Sequence, residues 1–150
     1  MAHFEIIVGS MLGASEYVAD ALQEKLGEYK HTADISLEPN LATLDQALTW
    51  IVCTSTHGAG DLPDNIQAFA EQVKLSTLVG VNFIVVGLGD SSYDTYCNGA
   101  MQMEQLLTTT GANLLCPALH IDVLNHPIPE EAAIAWLDSW LNSLIETNQA

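Results

Sequence analysis

The residues of this sequence best suited to chemistry fall in three short segments, each directly after an apolar, β-branched run. Ser10-Met11-Leu12-Gly13-Ala14-Ser15 follows Phe4–Gly9 and precedes a helical pattern. It offers successive backbone N–H groups, two hydroxyls and a helix start, which together can cradle one phosphate without a cation. The same spacing suits an ordinary βα turn, with Ser15 capping the helix and Gly13 supplying backbone freedom. Ser55 to Asn65 follows Trp50-Ile51-Val52-Cys53, and Asp90 to Gly99 follows Phe83–Gly89. Both carry glycine, hydroxyl and carboxylate groups, and the latter adds Tyr93 and Tyr96.

The elements that must position these segments alternate along the chain. Strands are predicted at Phe4–Gly9, His31–Leu37, Trp50–Cys53, Phe83–Gly89 and Leu114–Ile121. Helices are predicted around Val18, Leu22 and Leu26, over Ile66–Lys74 and over Ala100–Thr109 with a stop at Gly111, and weak helical character precedes Trp50. Pro129 opens a last helix with Ile134, Leu137, Leu141 and Leu144 on one stripe. Five strands with intervening helices predict an open parallel sheet, doubly wound and covered on both faces. Ligands of such sheets bind at the carboxyl ends of the strands, so all three segments are expected on one rim.

Charge and motif absences narrow the classes. The 150 residues hold 3 Lys+Arg, all of them lysine, against 19 Asp+Glu, for a formal net charge of −16. Nucleic acid would be repelled, and a positively charged protein partner is the natural complement. No G-x-G-x-x-G occurs, because Gly9 and Gly13 enclose three other residues, and no Gly-Lys pair forms a Walker A motif. A phospho-acceptor domain would need carboxylates where Gly9-Ser10 and Thr54-Ser55 stand, and a C-x5-R phosphatase would need an arginine. Cys53, Cys97 and Cys116 make no C-x-x-C pair, and His3, His31, His120 and His126 make no i,i+4 pair, so no disulfide framework and no metal site are expected. The start Met1-Ala2-His3-Phe4-Glu5 lacks a basic region and the apolar runs are strand-length. A single cytoplasmic domain over residues 1–150, without signal peptide or membrane span, is the expectation.

Together, the three segments resemble those of the flavodoxin-like FMN-binding family, over nearly the whole chain. Ser10-x-x-Gly13-x-Ser15-Glu16 resembles its phosphate loop. Ser55-Thr56-His57-Gly58-Ala59-Gly60-Asp61-Leu62-Pro63-Asp64-Asn65 resembles the S-T-Y-G-E-G-D-P-P-D-N loop of diflavin-reductase FMN domains. Gly87-Leu88-Gly89-Asp90-Ser91-Ser92-Tyr93-Asp94-Thr95-Tyr96-Cys97 resembles G-L-G-D-S-S-Y-x-x-F-C, and Trp136-x-x-x-Trp140 resembles the final-helix pattern. The His57 variant of the second loop and the small size are most similar to the MioC-type short flavodoxins. The fold this implies is a flavodoxin-like sandwich with strand order 2-1-3-4-5.

The resemblance implies one bound FMN. Its phosphate would meet Ser10, Met11, Leu12, Gly13, Ala14 and Ser15. Leu12 and Ala14 depart from the usual T-G-N-T, removing a hydroxyl and an amide, which lowers the expected affinity. Thr56, His57, Gly58, Ala59 and Gly60 would border the ring, with Gly58 presenting its peptide to the flavin N5, and Gly60, Asp61 and Asn65 shaping the loop. His57 stands where the family carries an aromatic residue, and imidazole offers less stacking area and can charge near neutral pH. Leu88, Gly89, Asp90, Tyr93, Tyr96 and Cys97 would line the third side, Tyr93 stacking on the ring. Asp122, with Asp90 and Asp94, would add negative potential that makes the reduced cofactor a stronger reductant.

The implied function is electron carriage more than stand-alone catalysis, with no catalytic acid, base or nucleophile to nominate. A monomer would shuttle single electrons from an NADPH-dependent flavodoxin reductase with a basic docking face to a downstream redox enzyme, such as the radical enzyme biotin synthase. An NAD(P)H-dependent flavin quinone reductase and a flavin-free interaction module are the alternatives. The lack of arginine argues against a site for the NADPH 2′-phosphate.

Overall fold

The computed structural model describes residues 2–10, 13–57 and 60–149, with side chains described as far as Leu141. The expected site residues Met11, Leu12, Gly58 and Ala59, and the side chain of Leu144, therefore lie outside the described residues.

Strand periodicity sorts the apolar residues into two cores, because successive strand side chains face opposite ways. In β1 (His3–Gly9), Ile6 and Val8 enter one core and Ile7 the other. In β3 (Thr49–Thr54), Ile51 and Cys53 divide from Trp50 and Val52. In β4 (Asn82–Gly89), Ile84, Val86 and Leu88 divide from Phe83 and Val85. Both faces being apolar, both must be covered. The helices α1 (Ala14–Glu28) and α4 (Pro129–Gln149) close the first face through Val18, Leu22, Leu26, Ala133, Leu137 and Leu141. On the other face, α2 (Asp64–Lys74) and α3 (Asn98–Thr109) supply Ile66, Phe69, Val73, Met103 and Leu107. Each fully buried Val, Leu, Ile, Phe or Met side chain among these contributes about 1.5–3 kcal/mol of transfer free energy.

All strand pairs are parallel, and the order is β2 (Thr32–Ser36), β1, β3, β4, then β5 (Asn113–Leu114), with β6 (Leu119–Asp122) also on β4. This is the doubly wound arrangement expected, with one correction: the last strand is split in two. Leu115 still donates its N–H to the Phe83 carbonyl at 3.0 Å. Pro117 then has no N–H for the ladder, and pairing resumes at Leu119 beside Val86. A second correction concerns residues 37–48, where the weak helical character gives way to turns. The Asn40 side chain accepts the Ala42 N–H at 3.1 Å and the Asp45 side chain accepts that of Ala47 at 2.9 Å, side-chain bonds that compete with helix formation.

Among the described residues, no helix is long and apolar enough to cross a membrane, and no cluster of His, Cys, Asp and Glu could hold a metal ion.

Candidate cofactor-binding site

Parallel register brings the strand ends into line. Gly9 pairs with Thr54, Thr54 with Gly87, and Gly87 with His120, so one row crosses four strands at their carboxyl edge. The chain moves outward in opposite directions from β1 and β3, which makes the crevice above that pair the binding position of such sheets. A Cβ at Gly9 would stand 2.2 Å from Thr54 Oγ1 and 2.7 Å from Ile66 Cδ1. Glycine there lets the end of β1 close against β3 and α2.

The first loop is held by its own polar groups. Ser10 donates its N–H to Asn65 Oδ1 at 2.9 Å, and Gly13 donates its N–H to Ser10 Oγ at 2.9 Å. Gly13 is the residue before α1 with φ of 94°, a left-handed conformation that favours glycine. No side chain among the described residues caps α1. Ser15, expected as a capping residue, lies within the first turn instead, fully buried, and its hydroxyl bonds that of Ser55. Ala14 packs beside the first core. The start of α1 thus keeps its first-turn N–H groups and the positive end of its dipole, beside the hydroxyls of Ser10, Ser15 and Ser55.

Cations are remote from this point. Lys25 lies roughly 15 Å further along the α1 axis and pairs with Glu28 at 3.6 Å and Asp138 at 3.7 Å. Lys74 is held by Glu71 at 2.9 Å, and Lys30 follows the far end of α1. An anion at the α1 start would be held by neutral donors, as the composition requires.

The second loop is closed at its base. His57 and Asp61 exchange both backbone bonds, at 2.7 and 2.8 Å, and Gly60 also donates to the His57 carbonyl at 3.1 Å. From α3, Asn98 Nδ2 and Gln102 Nε2 both donate to the Gly60 carbonyl, at 2.7 and 2.6 Å. Thr56 Oγ1 accepts the Gly99 N–H at 2.9 Å, so this loop and the start of α3 form one unit. The His57 side chain is exposed. Asn98 and Gln102 are contributors that sequence reasoning left unnamed, and Ser55, named there as the start of the second loop, was given no role of its own. Their polarity was a weak signal, since α3 also carries Glu104, Gln105, Thr108 and Thr109.

On the third side, Tyr93 is 64% exposed, a large flat side chain without a covering partner among the described residues. The Asp90 carboxylate accepts the Ser92 N–H at 2.9 Å and its hydroxyl, forming the turn that carries Tyr93. Asp122 is likewise a turn builder, accepting N–H groups of Ser91 at 3.2 Å and Leu124 at 3.0 Å and the Asn125 amide at 3.3 Å. The Ser91 hydroxyl first, and those N–H groups with it, hold its carboxyl below the usual range against the opposing effect of burial.

Tyr96 sets its ring edge-on to His120 at 6.2 Å, and burial, then Cys97 and Asp122, pushes its hydroxyl up to about 12. Cys97 is fully buried at the residue before α3, and burial is the main cause that pushes its thiol up to about 11, so it is no nucleophile. Leu88 lies in the first core, which leaves its backbone, and that of Gly89 beside it, as what reaches the rim.

The strand order, the rim and the three loops define a class, and sequence comparison gives the same one. The flavodoxin family model matches residues 6–136. The chain is 42% identical over 146 residues to protein MioC of Escherichia coli K12, covering 96% of this chain and 99% of the relative. It is 35% identical over 144 residues to flavodoxin YqcA of the same organism, covering 93% and 97%. Among solved structures, a cysteine-to-serine mutant of a flavodoxin from Pseudomonas aeruginosa superposes with a TM-score of 0.84 at 34% identity, covering 92% of this chain and 95% of that one. The chain belongs to the flavodoxin family, on the branch that includes the short MioC proteins.

FMN is the cofactor of this family, and the residues present fit it. The uncapped start of α1 with three hydroxyls matches a phosphate ester, and the exposed Tyr93 at the same rim matches a flat apolar ring. The protein is thus a flavodoxin-like FMN-binding electron carrier.

Proposed function

We propose that the chain carries single electrons between soluble proteins, taking them from an NADPH-dependent reductase with a basic docking face and passing them to a downstream redox enzyme, of which a radical enzyme such as biotin synthase is one kind. The observation that carries the reading is the uncapped, cation-free start of α1 among the hydroxyls of Ser10, Ser15 and Ser55. In this reading the N–H groups of Ala14, Ser15 and Glu16 and the Ser10 hydroxyl bind the phosphate, backed by the paired hydroxyls of Ser15 and Ser55. Tyr93 stacks on the ring, and Thr56, His57, Gly60, Gly89 and Tyr96 shape its surroundings. Met11, Leu12, Gly58 and Ala59 enter from the sequence alone.

Bound FMN supplies reversible redox chemistry that no side chain here provides. The chain contributes binding, orientation and field. Asp90, Asp94 and Asp122 resist added negative charge at the rim, which lowers the potential of the cofactor. A net charge of −16 with three lysines draws a basic partner and leaves no cationic pocket for a nicotinamide dinucleotide phosphate. A monomer working in the cytoplasm fits this role.

Rapid mixing of the FMN-loaded protein with NADPH tests the reading. Bleaching that needs an added flavodoxin reductase supports the carrier, and fast bleaching by NADPH alone would make the protein a stand-alone reductase.

A further inference from the structure

Asn65 does something at the first loop that its place in the second does not announce. It is the second residue of α2, yet its carboxamide makes three bonds that tie α2 to two other pieces of chain. Oδ1 accepts the Ser10 N–H at 2.9 Å, while Nδ2 donates to the carbonyls of Val8 at 2.6 Å and Leu37 at 2.8 Å. One planar group offering an acceptor and two donors is what a carboxamide supplies and neither a carboxylate nor a hydroxyl can. Ser10, so anchored, turns its Oγ to the Gly13 N–H at 2.9 Å, and Gly13 is the left-handed residue from which α1 starts. The hydrogen bonds run without a gap from Asn65 through Ser10 and Gly13 to the uncapped helix start.

We propose that Asn65 is a positioning residue for the phosphate end of the FMN site, and so sets the preference for FMN over riboflavin; this rests on FMN being the cofactor. Its amide commits the Ser10 N–H inward, which leaves the Ser10 hydroxyl oriented by Gly13 and the first-turn N–H groups of α1 free for the ligand. Without the amide, the Ser10 N–H and the Val8 and Leu37 carbonyls lose their shared partner and the loop must find another arrangement. The ring end is built from different residues, Tyr93 above all, and does not depend on this anchor.

Apo protein titrated with FMN and with riboflavin, unsubstituted and as Asn65→Ala, gives the test. The expected result is about tenfold weaker FMN binding in the variant with riboflavin affinity changed less than about twofold. Equal loss for both ligands, or no loss, overturns the positioning role while FMN binding by the unsubstituted protein keeps the cofactor assignment intact. Binding of neither flavin by the unsubstituted protein overturns that assignment and the proposal with it. Amide hydrogen exchange on the unsubstituted apo protein needs no variant that folds: the Ser10 amide is expected to be protected at least about tenfold over exposed loop amides. Exchange at the rate of an exposed loop overturns the proposal.

Discussion

Tyr93 and Glu5 show how single side chains are set against opposite demands. A tyrosine left 64% exposed at the rim gives up burial that a ligand ring can restore. Tyr93→Ala is expected to weaken FMN and riboflavin alike, by about tenfold for a stacking loss of about 1–3 kcal/mol, as read by flavin fluorescence titration. Loss confined to FMN would contradict the stacking role. Glu5 sits on β1 opposite Asp34 of β2. Burial first, then Asp34 and more weakly Asp45, raise its carboxyl above the usual range, with His3 opposing. Because the folded pKa lies above the unfolded one, ionised Glu5 costs stability above that raised pKa and the cost disappears as pH falls through it. Glu5→Gln should therefore raise Tm by about 1–3 °C at about pH 7 after screening by solvent, and by nothing near about pH 4, in parallel thermal melts.

Two elements share a mechanical task at the rim. Asn98 and Gln102 of α3 grip the Gly60 carbonyl, and Thr56 receives the Gly99 N–H, so the β3–α2 loop is fastened to α3. The double variant Asn98→Ala, Gln102→Ala should speed amide exchange at Gly60 and Asp61 several-fold while leaving β3 and β4 protected. Unchanged exchange at those two amides would show that the His57–Asp61 backbone pairing suffices. Most elements were legible in the sequence because the strands carry the continuous apolar runs Ile6–Val8, Trp50–Cys53 and Phe83–Val86, which a doubly covered sheet requires. The split between β5 and β6 was not, since Pro117 reads as a strand interruption only once the β4 partner is known. Nor were the turns at 37–48, where Asn40 and Asp45 bond the backbone in place of a helix.

The same limit applied to the site. Loop glycines and serines marked the phosphate end, but the inward commitment of the Ser10 N–H to Asn65 depends on two residues 55 positions apart. Asp90 and Asp122, read from sequence as a field around the ring, also prove to be the acceptors that fold the third loop. Long-range side-chain bonds of this kind leave no periodic trace.

Charge acts on the whole molecule. With a net charge of −16 and two of its three lysines held by carboxylates, the native state repels itself over distances that salt can screen. Raising sodium chloride from about 0.02 M to about 0.5 M should lift Tm by a few degrees while weakening association with a basic partner. A melt insensitive to salt would mean that the carboxylates are spaced too widely to matter. The same charge makes phosphate binding by neutral donors the central claim, because the chain has no arginine and places its lysines elsewhere.

Titration of the apo protein with FMN and with riboflavin, followed by flavin fluorescence, tests that claim most directly. Saturable one-to-one FMN binding that weakens by at least about tenfold for riboflavin is the predicted result, the difference being the phosphate at the start of α1. Equal affinity for the two flavins, or binding of neither, would contradict it.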